Sequence, residues 1–117
     1  MKRRFRLKSS KDIKFIRQAG KSFSNPLVVL ITLPNQSSRN AIGIIASKRV
    51  GGAVQRNRCK RLMRAAVLSH IDLVELGNDI LFIARKQLLH AKYGDIESAI
   101  KTLLSRGRLI KDRLDDR

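Results

Sequence analysis

The sequence predicts a single α–β sandwich, α+β or α/β, with helices packed on a small four-stranded sheet in the order helix, three strands, helix, strand, helix. Three observations predict it. The chain has 117 residues and 43% apolar content, enough for one domain with one modest core. Its apolar residues fall into helically spaced stretches and short β-rich runs. No internal repeat, low-complexity tract or linker divides it, so residues 1–117 are expected to form one domain.

Residues 1–8 read as a basic arm ending near Leu7. Ser9-Ser10-Lys11-Asp12 matches a capping box and Gly20 suits a C′ stop, so the first helix is expected over 10–19, with Ile13, Ile16 and Arg17 on one face and Phe15 pointing away from Ile13. A short edge strand is expected over 21–25. The run Leu27 to Leu33 is rich in β-formers and is closed by the turn Pro34-Asn35-Gln36-Ser37-Ser38. Ala41 to Ala46 reads as a buried strand. Ser47 to Gly52 is a basic, glycine-bearing connection into a helix over about 54–68. Gly77-Asn78 breaks the chain before a last strand over 79–84. Asp95 is positioned to N-cap a final helix, with Ile96, Ala99, Ile100, Leu103 and Leu104 as its apolar stripe and Gly107 as its stop. The tail 108–117 is mixed in charge and is expected to fray.

Charge is the stronger clue to function. The chain carries 26 Lys and Arg against 9 Asp and Glu, a net of +17. Residues 1–64 hold 17 of those cations and one acid, Asp12, whereas 65–117 are nearly balanced. The densest stretch is Arg56-Asn57-Arg58-Cys59-Lys60-Arg61-Leu62-Met63-Arg64. On a helix, Cys59, Leu62, Met63 and Ala66 form one apolar stripe, and Asn57, Lys60, Arg61 and Arg64 gather opposite it. A face with that many cations and no anion repels itself unless a polyanion covers it, and the regular polyanion is nucleic acid. A membrane-surface helix would want aromatic or Leu anchors on its apolar face, and 54–68 has no aromatic. No apolar run is long enough to span a bilayer, and Met1-Lys2-Arg3-Arg4 leads into alternating charge instead of an apolar segment, so a cytoplasmic location is expected.

No catalytic or metal-ligating residues are assigned to the protein itself. Asp95 and Glu97 read as helix-start acids, and His70 and His90 are not spaced as ligands with any Cys or acid, which leaves them ordinary surface or core histidines. Cys59 is the single cysteine, which excludes an internal disulfide and a cysteine-rich zinc site; it reads as a small core residue. Gly51-Gly52 near Lys48 lacks the phosphate-loop pattern and reads as a tight strand-to-helix bend.

The segment Ile42-Gly43-Ile44-Ile45-Ala46-Ser47-Lys48-Arg49-Val50-Gly51-Gly52-Ala53-Val54-Gln55 followed by Arg56 to Arg64 closely resembles the signature of the bacterial ribonuclease P protein family: a Ser-Lys-Lys/Arg lead-in, then Arg-Asn-Arg, then Lys-Arg-Leu-x-Arg. Arg6-Leu7-Lys8 with Asp12 and Gly20 looks like the family's opening, and Asp79 to Lys86 like its last strand, so the likeness spans most of the chain. The resemblance implies a non-catalytic protein subunit of a ribonucleoprotein endonuclease. The family's RNA cleaves precursor tRNA to make the mature 5′ end, using Mg2+ bound mainly by that RNA, with no protein ligands assigned. The partners implied are the ribonuclease P RNA and precursor tRNA, with no membrane and no obligate protein partner.

The resemblance also implies residue roles. Lys48, Arg49, Arg56, Asn57, Arg58, Lys60, Arg61 and Arg64 would meet the catalytic RNA. The 5′ leader of precursor tRNA would run through a cleft between the first helix and the sheet, where Ile13, Arg17, Ile31 and Ser47 are the candidate contacts. A left-handed crossover around the central helix is implied by the family alone, since general topology favours the right-handed one. The family often has aromatics where this chain has Ile13, Arg17 and Ile31, and the chain has only four Phe and one Tyr. Arg17 is able to stack through its guanidinium plane, and Ile13 and Ile31 serve either as apolar cleft contacts or as ordinary core. Three other readings remain at this level: a structural ribosomal-type RNA-binding protein, a stand-alone nuclease, and a DNA-architectural protein, which would want an intercalating wedge.

Overall fold

A computed structural model describes residues 10–110. Its elements are α1 (Ser10–Ala19), β1 (Lys21–Ser24), β2 (Val28–Pro34), β3 (Ala41–Ile45), α2 (Ala53–Leu68), β4 (Asn78–Ala84) and α3 (Tyr93–Arg106), with short 3-10 segments at Ile71–Leu73 and Lys86–His90. The predicted order holds, and most boundaries fall within a residue or two. The strands form one sheet in the order β1-β2-β4-β3. β1–β2 and β2–β4 are antiparallel and β3–β4 is parallel, so the fold is α+β with a single βαβ crossover through α2. No helix among the described residues is long and apolar enough to cross a membrane.

Both faces of the sheet are apolar, but they are covered unequally. Val28, Leu30, Ile42, Ile80, Phe82 and Ala84 face α2 and α3 and form the main core with Cys59, Met63, Ala66, Val67, Ile96, Ile100, Leu103 and Leu104. On the opposite face a small second core joins Ile16 of α1 to Ile31 and Leu81. Cys59 is therefore a core residue, and burial pushes its thiol above the ordinary value although the neighbouring Arg58 guanidinium pulls the other way. His70 is buried between α2 and α3 with Nε2 3.8 Å from Glu97 Oε1, whereas His90 is exposed.

The structure corrects two expectations, the Asp95 cap and the frayed start of the tail, and shows how the two glycine stops, which fall where expected, are built. α3 begins at Tyr93 with Lys92 as its N-cap, so Asp95 does not cap it; Asp95 lies in the first turn, where a carboxylate still complements the free N–H groups. Gly20 follows the last residue of α1, as expected, but without a left-handed backbone. Its N–H donates to Ile16 O at 2.8 Å, and a Cβ there would meet Ile16 O at 2.7 Å and Ile31 Cγ2 at 2.7 Å, so close approach of helix to sheet demands glycine. Gly107 ends α3 with φ −79°, and the left-handed residue is Arg108 at φ +58°. Arg108 N donates to Ser105 O and Leu109 N to Leu104 O, the pair of bonds that closes a Schellman end. The tail is not frayed at its start: Leu109 and Ile110 are buried in the main core, and Leu109 O accepts from Glu75 N. The Ser9 half of the capping box, the basic arm and residues 111–117 lie outside the described residues.

Candidate nucleic-acid interface

Side chains alternate between the faces of a strand, so pairing register decides which ones share a surface. On the face turned toward α1, Ile31, Leu81 and Gly43 form one cross-strand row and Val29, Ile83 and Ile45 form the next. Ile16 seals the first row, leaving Ile31 7% exposed and Leu81 fully buried. α1 has ten residues and is about 15 Å long. The second row remains half-buried and floors a groove of about 1020 Å³.

The rim of that groove is cationic. Arg17 of α1, Arg49 of the β3–α2 turn, and Arg85 and Lys86 just past β4 line it together with Ser47, Gln87, Pro26 and Ala84, and none of the lining residues is Asp or Glu. The turn that carries Ser47 and Arg49 is held locally: Ser47 Oγ accepts from Arg49 N at 3.3 Å and Ser47 O from Val50 N at 3.0 Å. Gly51 then takes φ +153°, where a side chain would collide with Gln55, and Gly52 N donates to Gln55 Oε1 at 2.8 Å as α2 begins. The positive end of the α2 dipole therefore sits beside the same turn, adding to its field.

On α2 itself the buried stripe is Cys59, Met63, Ala66 and Val67, with Leu62 half-buried. Asn57, Arg58 and Arg61 are exposed. Arg56, Lys60 and Arg64 succeed one another at four-residue intervals and are each half-buried, a row along the flank of the helix. Lys60 and Arg64 were expected opposite the apolar stripe. They lie at its border because the buried arc extends through Met63 to Val67 and is not centred on Cys59; the Nε of Arg64 is itself buried, with no hydrogen-bond partner within the protein. Lys48 and Arg49 are exposed. From residue 13 to residue 71 the chain contains no acid, so nothing on β1, β2, β3 or α2 offsets these charges.

The predicted cleft residues part company. Arg17, Ser47 and Arg49 come together at the groove. Ile13 is half-buried and lines, with Lys14, Arg17 and Gln18, a second concavity of about 450 Å³ on α1, so Arg17 borders both. Ile31 lines neither, because the helix covers its row; it is core. Sequence reasoning missed the floor residues Val29, Ile45 and Ile83 and the rim residues Pro26, Arg85, Lys86 and Gln87. The one available signal was the cationic pair Arg85-Lys86 directly after a strand.

A family model, Ribonuclease P, matches residues 1–108. A ribonuclease P protein component from Herpetosiphon aurantiacus is 37% identical over 113 residues, covering 97% of this chain and 92% of that one. One from Clostridioides difficile is 41% identical over 101 residues, covering 86% and 89%. Among solved structures, the Staphylococcus aureus RNase P protein aligns with TM-score 0.83 at 29% identity over 92% of this chain and 98% of that one. The Thermotoga maritima RNase P protein aligns with TM-score 0.79 at 28% identity over 86% and 96%. Alignment at these scores requires the β3–α2–β4 crossover to have the same hand in all three.

Proposed function

The chain belongs to the ribonuclease P protein family and acts as that enzyme's protein subunit in tRNA 5′ maturation, with ribonuclease P RNA as its partner; from this premise we propose a division of its surface between two RNA strands. α2 and the turn before it hold the catalytic RNA through Lys48, Arg56, Asn57, Arg58, Lys60, Arg61 and Arg64, and Arg49 stands where this surface meets the groove, within reach of both. The groove beside α1 holds the single-stranded 5′ leader of precursor tRNA. One observation carries the second assignment: an aliphatic floor of Val29, Ile83 and Ile45 lies between Arg17, Arg49, Arg85 and Lys86 with no carboxylate among the lining residues. Cations fix a phosphate chain by position, and an apolar floor accepts ribose and base faces without a base code.

In this reading the protein contributes binding and alignment, and the bond-breaking groups belong to the RNA. The buried, protonated Cys59 thiol is a poor nucleophile. Mg2+ is bound mainly by the RNA in this reading. The residues of the groove do not fit it as ligands, since four cations repel a divalent ion, and among the described residues no group of three His, Cys, Asp or Glu is placed to hold one. The site of action is the cytoplasm.

Two measurements test the reading. The protein should stimulate precursor-tRNA cleavage by ribonuclease P RNA at low Mg2+, and the protein free of RNA should cut nothing. Arg17→Ala should weaken precursor-tRNA binding by roughly tenfold, the scale of one hydrogen bond to a charged group, and leave mature-tRNA binding nearly unchanged. Equal losses for both substrates would remove the leader from the groove.

A further inference from the structure

Arg85 reaches the groove from beyond the end of β4, and its guanidinium is hydrogen-bonded to Asn25, a residue distant in sequence. Asn25 stands between β1 and β2, half-buried, and every polar group of its side chain is engaged. Its Oδ1 accepts from Leu27 N at 2.9 Å and from Val28 N at 2.9 Å, which closes the corner around Pro26. Its Nδ2 donates to Ala99 O at 3.1 Å, tying that corner to the middle of α3. Its backbone N–H donates to Val28 O at 3.0 Å, and its backbone carbonyl accepts from Arg85 Nη1 at 3.3 Å. Arg85 N in turn donates to Leu27 O at 2.9 Å. Pro26 and Arg85 both line the groove.

We propose that Asn25 is a positioning residue for RNA binding: it aims the Arg85 guanidinium along the groove rim, acting through Arg85 without touching RNA itself. The physical reason lies in the donor count. A guanidinium has five N–H donors in a fixed fork, and fixing one on a rigid carbonyl leaves the others pre-aimed. Without that anchor the long side chain samples many rotamers and loses them on binding, which weakens the contact. The Asn25 carbonyl is rigid because its own residue is clamped from three sides. A side chain that only shaped the turn would need the Leu27 and Val28 amides alone; the bond across to Ala99 adds a brace from the main core to the groove rim.

The proposal rests on the groove reading, and the experiment separates the two. Wild-type protein, Asn25→Ala, Asn25→Ser, Arg85→Ala and the double variants are assembled with ribonuclease P RNA. Binding of precursor tRNA and of mature tRNA is measured across a salt series, alongside thermal unfolding of each protein. Arg85→Ala is expected to weaken precursor binding about tenfold and to lower the log–log salt slope by about 0.7, with little change for mature tRNA. Asn25→Ala is expected to reproduce the slope change and most of the affinity loss, and to add nothing once Arg85 is gone. Asn25→Ser, whose hydroxyl still accepts from a corner amide, should lie between. Losses that multiply in the Asn25→Ala/Arg85→Ala protein, or an unchanged slope in Asn25→Ala, overturn the positioning role and leave Asn25 a folding residue. If Asn25→Ala does not fold, the serine variant decides by the same comparison in the two Arg85 backgrounds. An Arg85→Ala protein that binds precursor like wild type overturns the groove reading itself.

Discussion

The two faces of the sheet use the same strands and the same kinds of side chain for opposite ends. On one, Leu30, Ile42, Ile80 and Phe82 are sealed under α2 and α3. On the other, α1 covers Ile31 and Leu81 but leaves Val29, Ile45 and Ile83 half-open between cations. The difference shows that cover, not composition, separates a core residue from a groove-floor residue here. Two helices on one face bury the bulk of the apolar surface and carry stability. One short helix on the other leaves a strip whose apolar area is available to a ligand.

Substitutions on each face either sharpen or break that separation. The largest effect is expected from Phe82→Ala on the closed face: about 3–5 kcal/mol of lost stability, read by denaturant unfolding, with the salt slope of RNA binding unaltered in the fraction that remains folded. Gly20→Ala sits where α1 meets the open face and should cost about 1–3 kcal/mol through overpacking against Ile16 O and Ile31; a neutral result would mean that α1 is free to lift from the sheet. Arg58→Ala and Arg61→Ala, both exposed on α2, should change stability by less than about 0.5 kcal/mol while each lowers the salt slope of binding to ribonuclease P RNA by about 0.7–0.9. Slopes unchanged in both variants would detach α2 from the RNA. The last effect, confined to alkaline pH, belongs to Cys59. Its folded-state thiol titrates above its ordinary value of 9.0, so above that pH the unfolded chain loses its proton first and stability falls as pH rises, by no more than about 1.4 kcal/mol between pH 8 and 10. Cys59→Ala should flatten that slope in unfolding curves taken across the same range, and an equal slope in both proteins would place the titration elsewhere.

Much of the fold was legible because its signals are local. The turn after Leu33, the Gly77-Asn78 break and the apolar stripe of α2 each depend on residues within one element, and the elements appear where those signals put them. The errors arise where distant parts meet. Ile31 and Val29 are two residues apart on one strand face, and only the seat of α1 makes one core and the other groove floor. Arg85, Lys86 and Gln87 join Arg17 through the β2–β4 and β3–β4 pairings, which no short window of sequence contains. Asp95 is the best capping residue nearby, yet α3 starts at Tyr93 after the extended Lys92. Leu109 and Ile110 looked like the start of a loose tail because charge surrounds them, and the core claims both.

β4 lies between β2 and β3, which do not pair with each other. Translation runs from the N-terminus, so the cation-rich half of the polypeptide leaves the ribosome well before the strand that unites it. Until residues 78–84 are made, the β1–β2 hairpin and β3 have no common partner and no groove exists. A chain ending upstream of that point would carry the cations of residues 14–64 without the strand that brings Val29, Ile45 and Ile83 into one row.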